Sequence, residues 1–175
     1  MTTLLHGQIY HLFHKNNTPA VGHCTTAERK KNMRKYKYTG KTMKVGRKTY
    51  REIVAVRDFG NVTAGEVGGY IQHGWNLSHH GNAWVALNAT VGEFARVTGD
   101  ALVTESARVD GCARVAGRAF IWGKAWVSDT AKVDGSASVG GDARIWETAH
   151  IKGNTDVRGD AYFRGLTISE GFYNQ

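Results

Sequence analysis

A six-residue repeat runs without interruption from Gly81 to Arg164 and constrains the fold more than any other feature of the sequence. The run contains fourteen units, in which the third place is Ala in thirteen and the fifth place is Val or Ile in thirteen. Thr155 and Phe163 are the exceptions. Because a fixed short period specifies a stack of equivalent structural units, it indicates the architecture before any functional motif is considered.

Each unit is predicted to form a short strand followed by a corner. The third and fifth places are two residues apart, so their side chains point to the same side of an extended strand. The first place is Gly in nine units, and Gly adopts positive φ at little cost. Ala and Val then fill a narrow interior, and successive coils stack through backbone hydrogen bonds about 4.8 Å apart.

Two family resemblances follow from these residues. The pairing of Val85 with Ala89 and of Val91 with Ala95, continued along the run, resembles the hexapeptide repeat of left-handed parallel β-helices. That resemblance implies three units per triangular coil, and the fourteen units then make four to five coils. Residues 52–85, with IVAVRDFGNVTAGEVGGYI followed by NLS and GNAWV, are similar to the YdcK-like β-helix proteins of bacteria and phages, a family that implies a scaffold rather than an activity.

We therefore predict a mainly β protein with four segments. These are a basic α/β arm at 1–51, a lead-in segment at 52–80, the β-helix at 81–164 and a C-terminal cap at 165–175. In the arm, helical spacing at 4–13 and a capping-box pattern at 25–28 predict short helices, the second ending near Lys35, and alternation from Tyr36 predicts a hairpin. In the tail, Leu166, Ile168 and Phe172 are expected to cover the open end of the β-helix, which is otherwise an exposed edge.

Positive charge is concentrated in the arm. Residues 1–51 contain twelve Lys or Arg and one acid, whereas the remaining residues contain eleven Lys or Arg and fourteen acids, within a net charge of +8. Basic residues with tyrosines between them suit phosphate contacts and base stacking, so we expect nucleic acid or a nucleoprotein as partner. The alternative is a solvated hairpin whose lysines protect an edge strand. The arm residues expected to bind the partner are Arg29, Lys30, Lys31, Arg34, Lys35, Lys37, Lys41, Lys44, Arg47 and Lys48.

Outward side chains eighteen residues apart are expected to stack, which gives three different faces. We name them the apolar face (Trp84, Leu102, Phe120 and Trp122), the Arg/aromatic face (Arg108, Trp126, Arg144, Trp146 and Tyr162) and the cationic face (Arg96, Arg114 and Lys132, followed by His150).

Each face has a functional interpretation and a structural one. Soluble monomers seldom expose an apolar row, so we expect the apolar face to self-associate or to be covered by the N-terminal segment, with a site for another protein or an apolar ligand as the alternative. Arginines among aromatics bind nucleic acid or pack as cation–π pairs between coils. Like charges one coil apart repel, so an anionic partner neutralises the cationic face, or Asp134 and the corner glutamates do.

Enzymatic chemistry is weakly indicated. Many β-helix proteins of this type are acyl-CoA-dependent acyltransferases, and that resemblance implies a histidine base and a loop interrupting the coils. This run has no interruption, and its single histidine is His150. The spacing of His6, His11, His14, His23 and Cys24 is common by chance. We predict no catalytic residue, no metal and no cofactor.

The remaining sequence features indicate where the protein is expected to act and how it is expected to assemble. No apolar stretch approaches ~18 residues, which predicts no membrane helix, and no secretory signal is recognisable. Cys24 and Cys112 are interpreted as free thiols in a reducing cytoplasm, that of a bacterial host cell if the protein is phage-encoded. We predict a non-catalytic binding protein, a dimer or trimer, acting as a phage-type host-interaction or anti-defence inhibitor. The alternatives are an acyltransferase and a self-assembling structural protein.

Overall fold

The protein folds as a parallel β-helix preceded by a β-hairpin, and the computed structural model describes residues 34–174. Within this range the secondary structure is β except for a 3-10 turn at Gly74–Asn76. The predicted parallel β-helix is confirmed. The two helices predicted in the arm lie outside the described residues, apart from Arg34 and Lys35, which are not helical.

The hairpin is built into the β-helix. Strands β1 (Tyr36–Val45) and β2 (Lys48–Ala55) are antiparallel, with a register shift between Tyr38 and Thr42. Strand β3 (Val67–Ile71) pairs with β2 and begins the first coil. The predicted boundary after Arg51 therefore falls inside β2, and the described part of the basic arm belongs to the same sheet as the coils.

The later strands are short and stack in three sheets. The strands are β4 (Trp84–Val85), β5 (Thr90–Val91), β6 (Arg96–Val97), β7 (Leu102–Val103), β8 (Arg108–Val109), β9 (Arg114–Val115), β10 (Phe120–Ile121), β11 (Trp126–Val127), β12 (Lys132–Val133), β13 (Ser138–Val139), β14 (Arg144–Trp146), β15 (His150–Ile151), β16 (Asp156–Arg158), β17 (Tyr162–Arg164), β18 (Thr167–Ile168) and β19 (Phe172–Asn174). The strand orders are β1-β2-β3-β5-β8-β11-β14-β17, β4-β7-β10-β13-β16-β19 and β6-β9-β12-β15-β18. The first sheet carries the Arg/aromatic face, the second the apolar face and the third the cationic face.

The interior is filled by the third and fifth places of the repeat. Their Ala, Val and Ile side chains are buried throughout the run. Thr155, which replaces Ala, is buried as well, and its hydroxyl donates a hydrogen bond to the Lys152 carbonyl at 2.7 Å. Phe163, which replaces Val, packs edge-on against Tyr173 with 5.3 Å between ring centroids. Thr155 therefore lies inside the core, and Phe163 packs half-buried against it.

The corners share one backbone conformation whatever residue occupies them. Every first-place residue has positive φ, including the five that are not glycine. Three of the acids among them accept a hydrogen bond from the backbone N–H of the next coil, at 2.8 to 3.0 Å. That bond offsets part of the cost of the left-handed conformation, roughly 1–2 kcal/mol for a residue with a Cβ. The five residues are Leu87, Glu93, Glu105, Asp129 and Glu147.

The stack is longer than predicted, with about six turns instead of four to five. The lead-in segment and the tail supply the additional turns, since β18 and β19 pair in parallel with β15 and β16. The expectation that Leu166 and Phe172 cover the open end is wrong: both side chains are exposed. The tail instead satisfies its backbone by pairing with the preceding coil, and Ile168 packs against the core.

Trp84 does not belong to an exposed apolar face. It is only 2% exposed, and Phe59 of the lead-in segment packs edge-on against it at 5.3 Å. A Cβ at Gly68 would lie 2.6 Å from the Trp84 ring, so glycine allows β3 to approach this closely. Trp84 is thus covered by the lead-in segment, and its assignment to a partner surface is wrong.

The corner geometry predicts that alanine and glycine variants rank in opposite orders of stability at the neighbouring residues 105 and 106. Glu105→Ala is expected to lower the free energy of unfolding by about 1 kcal/mol more than Glu105→Gly, because both lose the bond to Gly123 but only Ala retains the strained backbone. At Ser106, where φ is not positive, the Ser106→Ala variant is expected to be more stable than Ser106→Gly. Urea unfolding of the four variants measures both orders, and Ala at least as stable as Gly at residue 105 would contradict the account.

Candidate nucleic-acid interface

The cationic face presents a row of exposed charges in register. Arg96 lies opposite Arg114, Arg114 opposite Lys132, and Lys132 opposite His150. Adjacent strands are about 4.8 Å apart, so like charges stand on consecutive coils. Among residues 34–174, no carboxylate lies within ion-pair distance of Arg96, Arg114 or Lys132.

The acids expected to neutralise this row have hydrogen-bond or ion-pair partners other than Arg96, Arg114 and Lys132. Asp134, on the same face, lies 2.8 Å from His150 Nε2. The corner acids beside this face also have other partners, so none of them forms a direct ion pair with Arg96, Arg114 or Lys132 within the described residues. These partners are Lys48 and the Gly111 N–H for Glu93, the Glu147 N–H for Asp129, and Arg164 for Glu147.

The tip of the hairpin reaches the corner from which the cationic face begins. Lys48 forms an ion pair with Glu93, and their hydrogen bond lowers the pKa of Glu93 and raises the pKa of Lys48. Lys44, near the end of β1, and Arg47, in the turn, are exposed and have no ion-pair partner in the described part of the chain. The tip thus adds positive charge beside the cationic face.

Two exposed aromatic residues adjoin the same corner, and sequence reasoning missed both. Phe94 is 71% exposed and Trp75 is 51% exposed, and with Arg96 they line a depression of about 310 Å³. Phe94 has a recognisable signal, because it is the only aromatic residue at the second place of any unit. Trp75 lies before the repeat, where no period marks it.

Lys35 is not part of a partner surface. It is fully buried, and its Nζ donates hydrogen bonds to the carbonyls of Ala83 at 2.5 Å and Gly81 at 3.3 Å. The Nζ also lies 4.9 Å from the centroid of the Phe59 ring. Burial, with a smaller effect of Arg57, lowers the pKa of Lys35 to about 8. The side chain closes the first coil, and its assignment to nucleic-acid binding is wrong.

The other basic residues of the arm differ in their surroundings. Lys41 forms an ion pair with Glu52 at 3.0 Å, and hydrogen bonds from Lys41, Thr39 and Tyr70 outweigh the effect of burial and lower the pKa of Glu52. Arg34 and Lys37 are exposed at the end of the hairpin remote from its tip. Arg29, Lys30 and Lys31 lie outside the described residues.

The Arg/aromatic face is partly explained by internal packing. The Arg108 guanidinium lies 5.2 Å from the Trp126 ring centroid, and both side chains bind Asp110, at 2.6 and 3.0 Å. For this pair the cation–π alternative is correct. Further along, Trp146 and Tyr162 pack edge-on at 4.9 Å. Arg144 remains exposed, with no ion-pair partner between residues 34 and 174.

The apolar face is smaller than predicted once Trp84 is removed from it. Leu102 is half-buried against the core. Phe120 is 38% exposed and stacks with Trp122 at 6.3 Å, and the Trp122 Nε1 donates a hydrogen bond to Ser138. The outward apolar surface of this sheet therefore centres on Phe120 and Trp122.

One feature bears on catalysis. The His150–Asp134 pair adjoins a depression of about 350 Å³ that is lined by His150, Lys132 and three threonines. No loop interrupts the coils of the repeat.

Within the described range there is no group of three or more His, Cys, Asp or Glu arranged to hold a metal ion. The predicted histidine and cysteine group at 6–24 lies outside that range, and Cys112 is an exposed free thiol.

No helix in the described part of the chain is long and apolar enough to cross a membrane.

No protein-family model matches the chain, and no curated protein matches it either. The fold and surface define its class: a parallel β-helix with a built-in hairpin and a row of exposed cations that have no ion-pair partner among residues 34–174.

Replacing Lys35 by Met is expected to remove a pH-dependent contribution to stability. The folded-state pKa of Lys35, about 8, lies below its ordinary value of 10.5. Between these values the unfolded chain holds a proton that the folded chain lacks, so stability rises as pH increases from about 8 to 10.5. Urea unfolding across this range is expected to show the wild-type protein gaining stability relative to Lys35→Met. The exposed Lys37→Met is the control, and a constant difference between wild type and Lys35→Met would contradict the assignment.

Proposed function

We propose that the protein is a non-catalytic binding protein that tracks the phosphate backbone of a nucleic acid along its cationic face. The observation that supports this most is the exposed row of Arg96, Arg114 and Lys132, none of which has an ion-pair partner among the described residues. Like charges on adjacent strands repel. Phosphates would relieve that repulsion, and the release of their counterions would contribute to binding.

The linear arrangement favours a polymer over a small anion. A small anion is held by donors that converge on one point, whereas these side chains project in parallel from successive coils. The sixth-place residues beside Arg96 and Arg114, Thr98 and Ala116, are small, and Asp134 follows beside Lys132. The exposed Lys44 and Arg47 extend the positive surface at one end.

The biological setting belongs to the same proposal. A surface that occupies a phosphate backbone suits competition for a nucleoprotein, which is the action expected of a phage-type host-interaction or anti-defence inhibitor. The remaining apolar surface at Phe120 and Trp122 supports a homo-oligomer, a dimer or trimer, that would present more than one cationic face. Light scattering that shows only monomer would remove the oligomer from the proposal.

Removing two charges from the cationic face is expected to reduce the salt dependence of binding. For single strands each phosphate contact contributes about 0.7 to the magnitude of the slope of log affinity against log salt. The double variant Arg96→Ala with Arg114→Ala is therefore expected to lower the magnitude of this slope by about 1.4. The measurement is fluorescence anisotropy of a labelled oligonucleotide between about 50 and 200 mM salt.

The matched control is Lys124→Ala with Arg144→Ala, which removes the same charge from the Arg/aromatic side. This pair is expected to leave the slope unchanged. A loss in the control pair alone would place binding on the Arg/aromatic face and contradict the proposal. Absence of binding by the wild-type protein at low salt would contradict it as well.

Acyl transfer from acyl-CoA is the second candidate, because His150 is paired with Asp134 beside a depression lined by hydroxyl groups. A histidine oriented by a carboxylate is suited to accept a proton from an acceptor substrate. The test is thiol release from acetyl-CoA in the presence of amine and alcohol acceptors. Activity that is present in the wild-type protein and absent in His150→Ala would favour the transferase, and no activity in either would exclude this candidate for the acceptors tested.

A further inference from the structure

We propose that Phe94 and Trp75 form a base-stacking site at the end of the cationic face, which makes the ligand single-stranded nucleic acid. This inference rests on the proposed function, because the cationic row supplies the phosphate contacts. It adds a ligand class that the charges alone do not specify.

The exposure of Phe94 is the first observation. Its ring stands on a corner, 71% exposed, at a place in the repeat that no other aromatic residue occupies. The ring contributes nothing to the core, since the interior at this coil is filled by Ala95 and Val97. An aromatic ring held in water beside a row of cations is the combination that single-strand binding proteins use.

The rigidity of Trp75 is the second observation. Its Nε1 donates a hydrogen bond to the Glu93 carbonyl at 3.1 Å, and its ring stacks on His73 with 4.1 Å between centroids and 13° between planes. The adjacent Asn76 is buried, and its side-chain amide donates hydrogen bonds to the carbonyls of Glu93 at 3.0 Å and Ala95 at 2.8 Å. The turn that carries Trp75 is thus fixed to the segment that carries Phe94. Such preorganisation reduces the entropy lost on binding.

Arg96 completes the site. It lines the same depression of about 310 Å³, near the lower end of the range for small-ligand sites, and has no ion-pair partner among the described residues. Its guanidinium can neutralise the phosphate next to a stacked base. In a duplex the base faces are covered by neighbouring pairs, so only a strand with unpaired bases can use both the rings and the charges.

The experiment compares three ligands of equal length: a single strand, a duplex and a strand of abasic sugar phosphates. DNA and RNA versions of the single strand identify the preferred sugar within the same class. Phe94→Ala is expected to weaken single-strand binding about tenfold, the effect of losing one stacked base, and to leave abasic binding and the salt slope unchanged. Phe172→Ala removes a ring of similar exposure at the far end of the stack and is expected to change none of these values.

Two results would overturn the stacking site and leave the proposed function in place. One is unchanged single-strand affinity in Phe94→Ala while the Arg96 and Arg114 double variant loses binding. The other is equal weakening of the single strand, the duplex and the abasic strand. Failure of the wild-type protein to bind any of the three ligands would overturn both proposals. Circular dichroism of Phe94→Ala establishes that the variant is folded.

Discussion

Backbone pairing between successive coils is the interaction on which the rest of the structure depends. Each strand of the repeat donates backbone hydrogen bonds to the strand eighteen residues away and accepts others from it. Every coil is therefore positioned by the coil before it. The side chains inherit this order: the inward ones form columns of Ala and Val, and the outward ones form the three faces. Any function of the repeat must arise from residues that this register brings together.

The corners determine how charge is distributed around the stack. A left-handed corner favours glycine, yet the chain places acids at four of them, where three form hydrogen bonds along the stack. Those acids are thereby held on the corners or paired with Lys48 and Arg164. One consequence is that Arg96, Arg114 and Lys132 of the third sheet have no ion-pair partner among the residues described. The requirements of the scaffold and the charge of the surface are therefore linked.

The lead-in segment shows where the six-residue period stops predicting which side chains are buried. The eighteen-residue spacing assigned Arg96, Arg108 and Phe120 to three separate sheets, and the strand pairing agrees with all three. It also indicated an exposed Trp84, which is buried because β3 and Phe59 pack over it. Neighbours outside the repeat follow no period, so their effect on burial is invisible in the pattern. The buried Lys35 was misassigned for the same reason, since charge in sequence does not reveal which carbonyls a side chain can reach.

By itself, the sequence determined the strand and corner alternation, the identity of the interior residues and the three outward columns, because these follow from local geometry repeated at a constant interval. Tertiary structure alone decided that the hairpin joins the first sheet, that Lys35 closes the first coil and that Trp75 lies beside Phe94. These contacts join residues far apart in sequence or outside the repeat. Their formation depends on the packing of non-equivalent segments, which no six-residue unit encodes.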